Sequence, residues 1–77
     1  MTPASWNDAI SALRERHWAV VKAMLPAFRR ERYRRRLTQR DMAELLGISE
    51  SRLAGFETGY RIPSPPVFSR WRDLLGL

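Results

Sequence analysis

Between Leu37 and Glu57 the chain reads LTQRDMAELLGISESRLAGFE, and this stretch constrains the fold more than any other. Thr38 and Ser49 are residues whose side-chain oxygen accepts a hydrogen bond from a first-turn amide, so each marks a helix start. Asp41, three positions after Thr38, can return a bond to the cap amide, a shorter version of the usual Glu in such a box. Gly47 and Gly59 suit the left-handed conformation that ends a helix. Two helices fit between these marks, and both are too short to be stable alone in water. They must pack on each other: Met42, Leu46, Ile48, Leu53 and Phe56 fall on inward positions, and Ala43 is small enough for a close crossing of the two axes.

The rest of the chain must supply the core that holds this pair. Its 77 residues make one domain and bury only a modest interior. With no cysteine there is no disulfide framework or thiolate zinc site, and the single His17 cannot build a metal centre by itself. No cofactor is implied. The apolar runs are far below the ~20 residues of a membrane span, and no secretory leader is recognisable, so a cytoplasmic location is expected. A formal charge of +6 points to a polyanionic partner. Residues 29–37, with six Arg against one Glu, carry almost all of the excess, either as a solvated helix face or as an electrostatic footprint on phosphates.

From Ser5, a candidate cap with Asp8 three positions on, Trp6, Ile10, Leu13, His17, Val20 and Met24 recur at helical spacing on one face. Trp18, Val21, Leu25 and Phe28 form a second stripe about 80° further round at 100° per residue, too wide an apolar arc for one small contact. Two contacts are expected, one with the domain and one with a second chain. Pro26 predicts a kink or break before the Arg-rich segment. Residues 1–26 thus read as an N-terminal amphipathic helix and 27–77 as the main domain. A last helix is expected after Ser64, with Pro65 and Pro66 in its first turn, Gly76 as its stop, and Phe68, Trp71, Leu74 or Leu75, and Leu77 closing the core. Trp71 reads as a core residue rather than a base-stacking platform. Nothing reads as a strand, so the class is all-α.

Two short helices joined at Leu46, Gly47 and Ile48 correspond to the helix-turn-helix, whose second helix enters the DNA major groove while the first crosses the backbone. From about residue 28 to 77 the sequence resembles the Cro and lambda-repressor-like, or XRE-like, helix-turn-helix proteins. The likeness rests on LTQ at Leu37–Gln39, Ala43, LGIS at Leu46–Ser49, Leu53, Glu57, Gly59, Pro63 and the closing LGL. It implies a lambda-repressor-like bundle of about four helices plus one extra N-terminal helix. By the same resemblance, Gln39 binds a phosphate and orients a recognition-helix side chain, and Arg32 and Glu57 form a structural ion pair.

The resemblance also puts Glu50, Ser51 and Arg52 at the exposed start of the recognition helix, with Gly55 one turn on, as the base-reading set. The chemistry suits this role: a carboxylate accepts from cytosine N4, a serine pairs with several bases, and an arginine forks onto guanine O6 and N7. Glu50 could equally complement the helix dipole, and Arg52 could equally bind phosphate. Phosphate contacts are expected from Thr38, Gln39, Arg40, Ser49, Tyr60 and Arg61. Three departures stand out. Gly55 replaces the long polar side chain that relatives often carry, which calls for a steric reason. Arg36 stands where glycine is frequent, implying a left-handed residue or a rebuilt helix end. Arg72 occupies a position usually small and buried.

The function these features imply is sequence-specific recognition of double-stranded DNA by a transcriptional regulator, a repressor acting as a homodimer on an inverted repeat. Trp6, Ile10, Leu13, His17 and Val20 are the candidate dimer surface. The alternative is an antitoxin-like or adaptor module whose N-terminal helix grips a protein partner such as a toxin. RNA binding lacks an exposed aromatic platform. The scattered carboxylates and the lone histidine on an apolar stripe give no catalytic constellation, and no small-molecule effector is evident.

Overall fold

A computed structural model of the protein describes residues 4–77, with side chains from Trp6 onward. These residues form α1 (Ala4–Arg34), α2 (Gln39–Leu46), α3 (Glu50–Thr58) and α4 (Pro65–Leu74), with no strand among them. The all-α expectation holds, but the helix count differs. No break occurs near Leu25: Pro26 lies inside α1, so the N-terminal amphipathic segment and the Arg-rich segment are one helix of 31 residues. A proline there deprives the carbonyl four residues earlier of its amide donor. Both Pro26 and Lys22 are exposed, so water can serve that carbonyl. The division between residues 26 and 27 therefore falls within a helix. Ser5 is already helical rather than one residue outside the helix, as a cap must be. At 1.5 Å per residue α1 is about 46 Å long, which accounts for the 50 × 21 × 19 Å shape of the molecule.

Of the two apolar stripes on α1, the second forms the core contact, and of the first Met24 packs against its margin. Val21, Leu25 and Phe28 are buried together with Met42, Ala43, Leu46, Leu53, Phe56, Phe68, Trp71 and Leu75, whereas Trp6, Ile10, Leu13 and Val20 stay exposed. His17 departs from its expected place among the free stripe. Its Nε2–H donates to the Pro63 carbonyl at 2.7 Å, and its ring meets Phe68 edge-on at 5.8 Å, so it belongs to the α1–α4 contact. Leu77 and Leu74 are also exposed, leaving Leu75 to close the core from that end.

The helix ends are built as their residues dictate. The Thr38 hydroxyl accepts from the Asp41 amide at 3.0 Å and the Asp41 carboxylate accepts from the Thr38 amide at 2.9 Å, completing the box. Removing the Thr38 hydroxyl in Thr38→Ala costs about 1 kcal/mol, measurable by urea denaturation. The Thr38 contacts also hold the Asp41 carboxyl below the usual carboxylate range. Because its folded pKa is the lower one, this stabilisation is present at neutral pH and fades as pH falls through that lowered value. The stability gap between the protein and its Asp41→Ala variant should thus close in acid, below about pH 4. Arg36, with φ of 57°, takes the left-handed position at the end of α1. The Leu37 amide then reaches back to the Arg32 carbonyl at 3.0 Å.

Two arginines close the carboxyl ends of α4 and α2. Arg35 donates to the carbonyls of Leu74 and Leu75 at the end of α4, at 3.1 and 2.9 Å, and Arg70 donates to the Leu46 carbonyl of α2 at 3.0 Å. A cation on carbonyls left without helical donors both satisfies them and complements the helix dipole.

Candidate nucleic-acid interface

The candidate interface is assembled on α2 and α3, which Gly47, in the left-handed conformation at φ of 71°, turns sharply onto each other. Ser49 caps α3 through an Oγ that accepts from the Arg52 amide at 3.1 Å. Since Thr38 and Ser49 spend only an acceptor lone pair on their caps, each retains an O–H to donate outward. Glu50, Ser51 and Arg52 are all exposed on the first turn of α3, and none makes a side-chain hydrogen bond or salt bridge among the described residues. Arg40 is exposed on α2, with only a long 3.8 Å approach to Glu44. Tyr60 and Arg61 follow α3, and Tyr60 is 84% exposed.

Behind this surface lies the expected ion pair. Arg32 Nε donates to Glu57 Oε2 at 2.7 Å and Arg32 Nη2 to Oε1 at 3.0 Å, a two-pronged arrangement between side chains almost wholly removed from solvent. The hydrogen bond to Glu57 raises the guanidinium pKa against the opposing effect of burial. Arg32 Nη1 is occupied as well, donating to the Leu37 carbonyl at 2.8 Å. The pair thus joins the end of α1, the turn into α2 and the end of α3. Gln39 extends it, its Nε2 donating to Glu57 Oε1 at 3.1 Å. The contact leaves the Gln39 carbonyl oxygen and a second N–H for other partners.

The Arg-rich segment is more structural than its charge suggests. Besides Arg32, Arg34 and Arg35 both donate to Glu31, and Arg35 also caps α4. Hydrogen bonds from Arg34 and then Arg35 draw the Glu31 carboxyl down to about 2. Arg29, Arg30 and Arg36 have no side-chain hydrogen bond or salt bridge among the described residues. Sequence reasoning missed one cationic feature: Lys22 and Arg29 line a groove with Trp18 beside Thr58 and Gly59, at the carboxyl end of α3. The Lys22 ammonium sits 5.3 Å from the Trp18 ring centre. The signal was a Trp-Lys-Arg set at helical spacing, readable only once α1 is known to run unbroken past Pro26.

Gly55 has one close neighbour at the place of a side chain, the Arg61 stem. A Cβ there would fall 3.0 Å from Cδ and 3.1 Å from Cγ of Arg61. Gly55 therefore contributes a vacant place on α3 rather than a reading side chain. Arg72 is half-buried rather than fully enclosed, at the junction of α1 and α4 beside Arg16 and His17.

Four helices, a capped helix pair crossing at a left-handed glycine and an exposed second helix define a helix-turn-helix protein. A family model described as a helix-turn-helix domain, of the XRE/Cro-like kind, matches residues 23–77. The chain belongs to that family, and such a domain binds DNA. No curated protein and no solved structure matches it. Among the described residues no helix is long and apolar enough to cross a membrane, and no group of His, Cys, Asp or Glu could hold a metal ion.

Proposed function

We propose that the protein is a sequence-specific, double-stranded-DNA-binding transcriptional regulator, a repressor that acts as a homodimer on an inverted repeat in the cytoplasm. The observation that carries the reading is the first turn of α3, where Glu50, Ser51 and Arg52 are exposed and unengaged next to a helix amino end. Side chains held there on a rigid helix can meet base edges, while the hydroxyls of Thr38 and Ser49, with Gln39, Arg40 and Tyr60, can grip backbone phosphates on either side. Repression requires only that the site be occupied.

In vitro selection from random duplexes at about 150 mM salt tests the reading, since lower salt lets sequence-independent attraction mask preference. A palindromic consensus is the expected result, and failure to enrich any sequence overturns it. Glu50→Ala should change the preferred bases, whereas Gln39→Ala should weaken binding to all duplexes alike.

The homodimer draws support from the stripe of Trp6, Ile10, Leu13 and Val20, which the domain leaves uncovered. Leu13→Glu should lower the sedimentation mass from dimer to monomer. The same stripe also favours a second reading, an antitoxin-like module that grips a partner protein. That reading predicts a monomer with weak, sequence-indifferent DNA binding.

A further inference from the structure

The outward stripe of α3 runs through Ser51, Gly55 and Thr58, which share one face at i, i+4 and i+7. Its middle position has no side chain. The Arg61 stem packs against that bare place from outside the helix, with Cδ 3.0 Å, Cγ 3.1 Å and Cβ 3.5 Å from where a Gly55 Cβ would stand. The Arg61 amide also donates to the Gly55 carbonyl at 3.0 Å, anchoring the loop at the same residue. The arginine is thus held at two levels against α3. Since Cδ is bonded to Nε, the guanidinium starts beside this contact, and the residue is exposed with no carboxylate partner among the described residues.

We propose that Arg61 is a base-reading residue, borrowed from the loop to occupy the place on the recognition surface that Gly55 leaves vacant. This rests on the proposed DNA-binding function and sharpens it. A guanidinium offers a planar fork of donors suited to guanine O6 and N7, whereas a residue meant only for phosphate needs no cleared seat on the helix. On this account the glycine serves specificity, not flexibility: a side chain at position 55 crowds the Arg61 stem and shifts the reader.

Selection and binding assays on the full chain, with the Arg61→Ala, Arg61→Lys and Gly55→Ala variants and the Arg61→Ala/Gly55→Ala double variant, test the proposal. Arg61→Ala should abolish the preference for one base pair in each half-site, about a tenfold to hundredfold loss of discrimination there, and leave the others. Arg61→Lys, which keeps the charge but not the fork, should lose that same preference. Gly55→Ala, whose Cβ presses on the Arg61 stem, should weaken the same preference, yet add nothing in the Arg61→Ala background, because the two act as one unit. The proposal is overturned if Arg61→Ala enriches the original consensus and weakens all duplexes equally, with Arg61→Lys restoring affinity, as a phosphate contact requires. It is also overturned if the two single changes act independently. If the unaltered protein enriches no sequence, the proposed function itself fails; a consensus that Arg61→Ala leaves intact sinks only the present inference.

Discussion

Arg32→Ala should destabilise the protein by about 3–5 kcal/mol, because the Glu57 carboxylate would be left buried with only Gln39 to bond it. Domains hold roughly 0.05–0.15 kcal/mol of stability per residue, so a chain of this size has little more than that to lose. The variant is expected to be largely unfolded at 37 °C by circular dichroism. Glu57→Ala should do similar harm by stranding Arg32, which is 5% exposed. The double change Arg32→Met/Glu57→Leu is the informative control. Swapping the whole pair for apolar side chains avoids a buried lone charge and should recover most of the loss. A double variant as unstable as either single one would show that the bond to the Leu37 carbonyl, rather than the charge pair, secures the turn.

Trp71→Ala should cost a comparable 3–5 kcal/mol. Trp71 is fully buried, edge-on to Phe28 at 4.8 Å between ring centres and tilted against Phe56 at 6.4 Å, with Phe28 in turn stacked on Phe68 at 5.1 Å. It is thus the point where α1, α3 and α4 meet, and no smaller neighbour can fill the space. Its Nε1–H, however, has no hydrogen-bond acceptor among the described residues. A buried unsatisfied donor costs about 1–3 kcal/mol, and Trp71→Phe removes it while keeping an aromatic ring. The phenylalanine variant should therefore lie within about 1.5 kcal/mol of the original protein in urea denaturation. A loss as large as that of alanine would mean that the indole's shape, and not its ring contacts in general, holds the bundle.

Much of this architecture could be read along the chain because its signals are local. Thr38, Asp41, Gly47, Ser49 and Gly59 act within a few residues of themselves, and each caps or ends a helix where its chemistry requires. Arg32 and Glu57 were found differently, through resemblance to a family whose members match positions far apart in sequence. Spacing alone could not have paired them.

Other features depended on how segments meet. Pro26 reads as a helix breaker, but it sits where water can replace the lost hydrogen bond and where Leu25 and Phe28 are anchored in the core on either side, so burial outweighs the local penalty. The two stripes of α1 looked alike in hydrophobicity, and the placement of α3 and α4 decided that Val21, Leu25 and Phe28 go inside while Trp6, Ile10 and Leu13 stay out. The Arg run announced positive charge, yet which guanidiniums are free was settled by Glu31, Glu57 and the carbonyl ends of α4. Read along the chain, the all-helical class and the starts and stops of α2 and α3 were legible, because these follow from backbone geometry over one or two turns. The partner of each long side chain, including the contact of Arg61 with Gly55, came only with the packing of the helices. A flexible arginine reaches in many directions, and the one it takes depends on what the folded chain puts within reach.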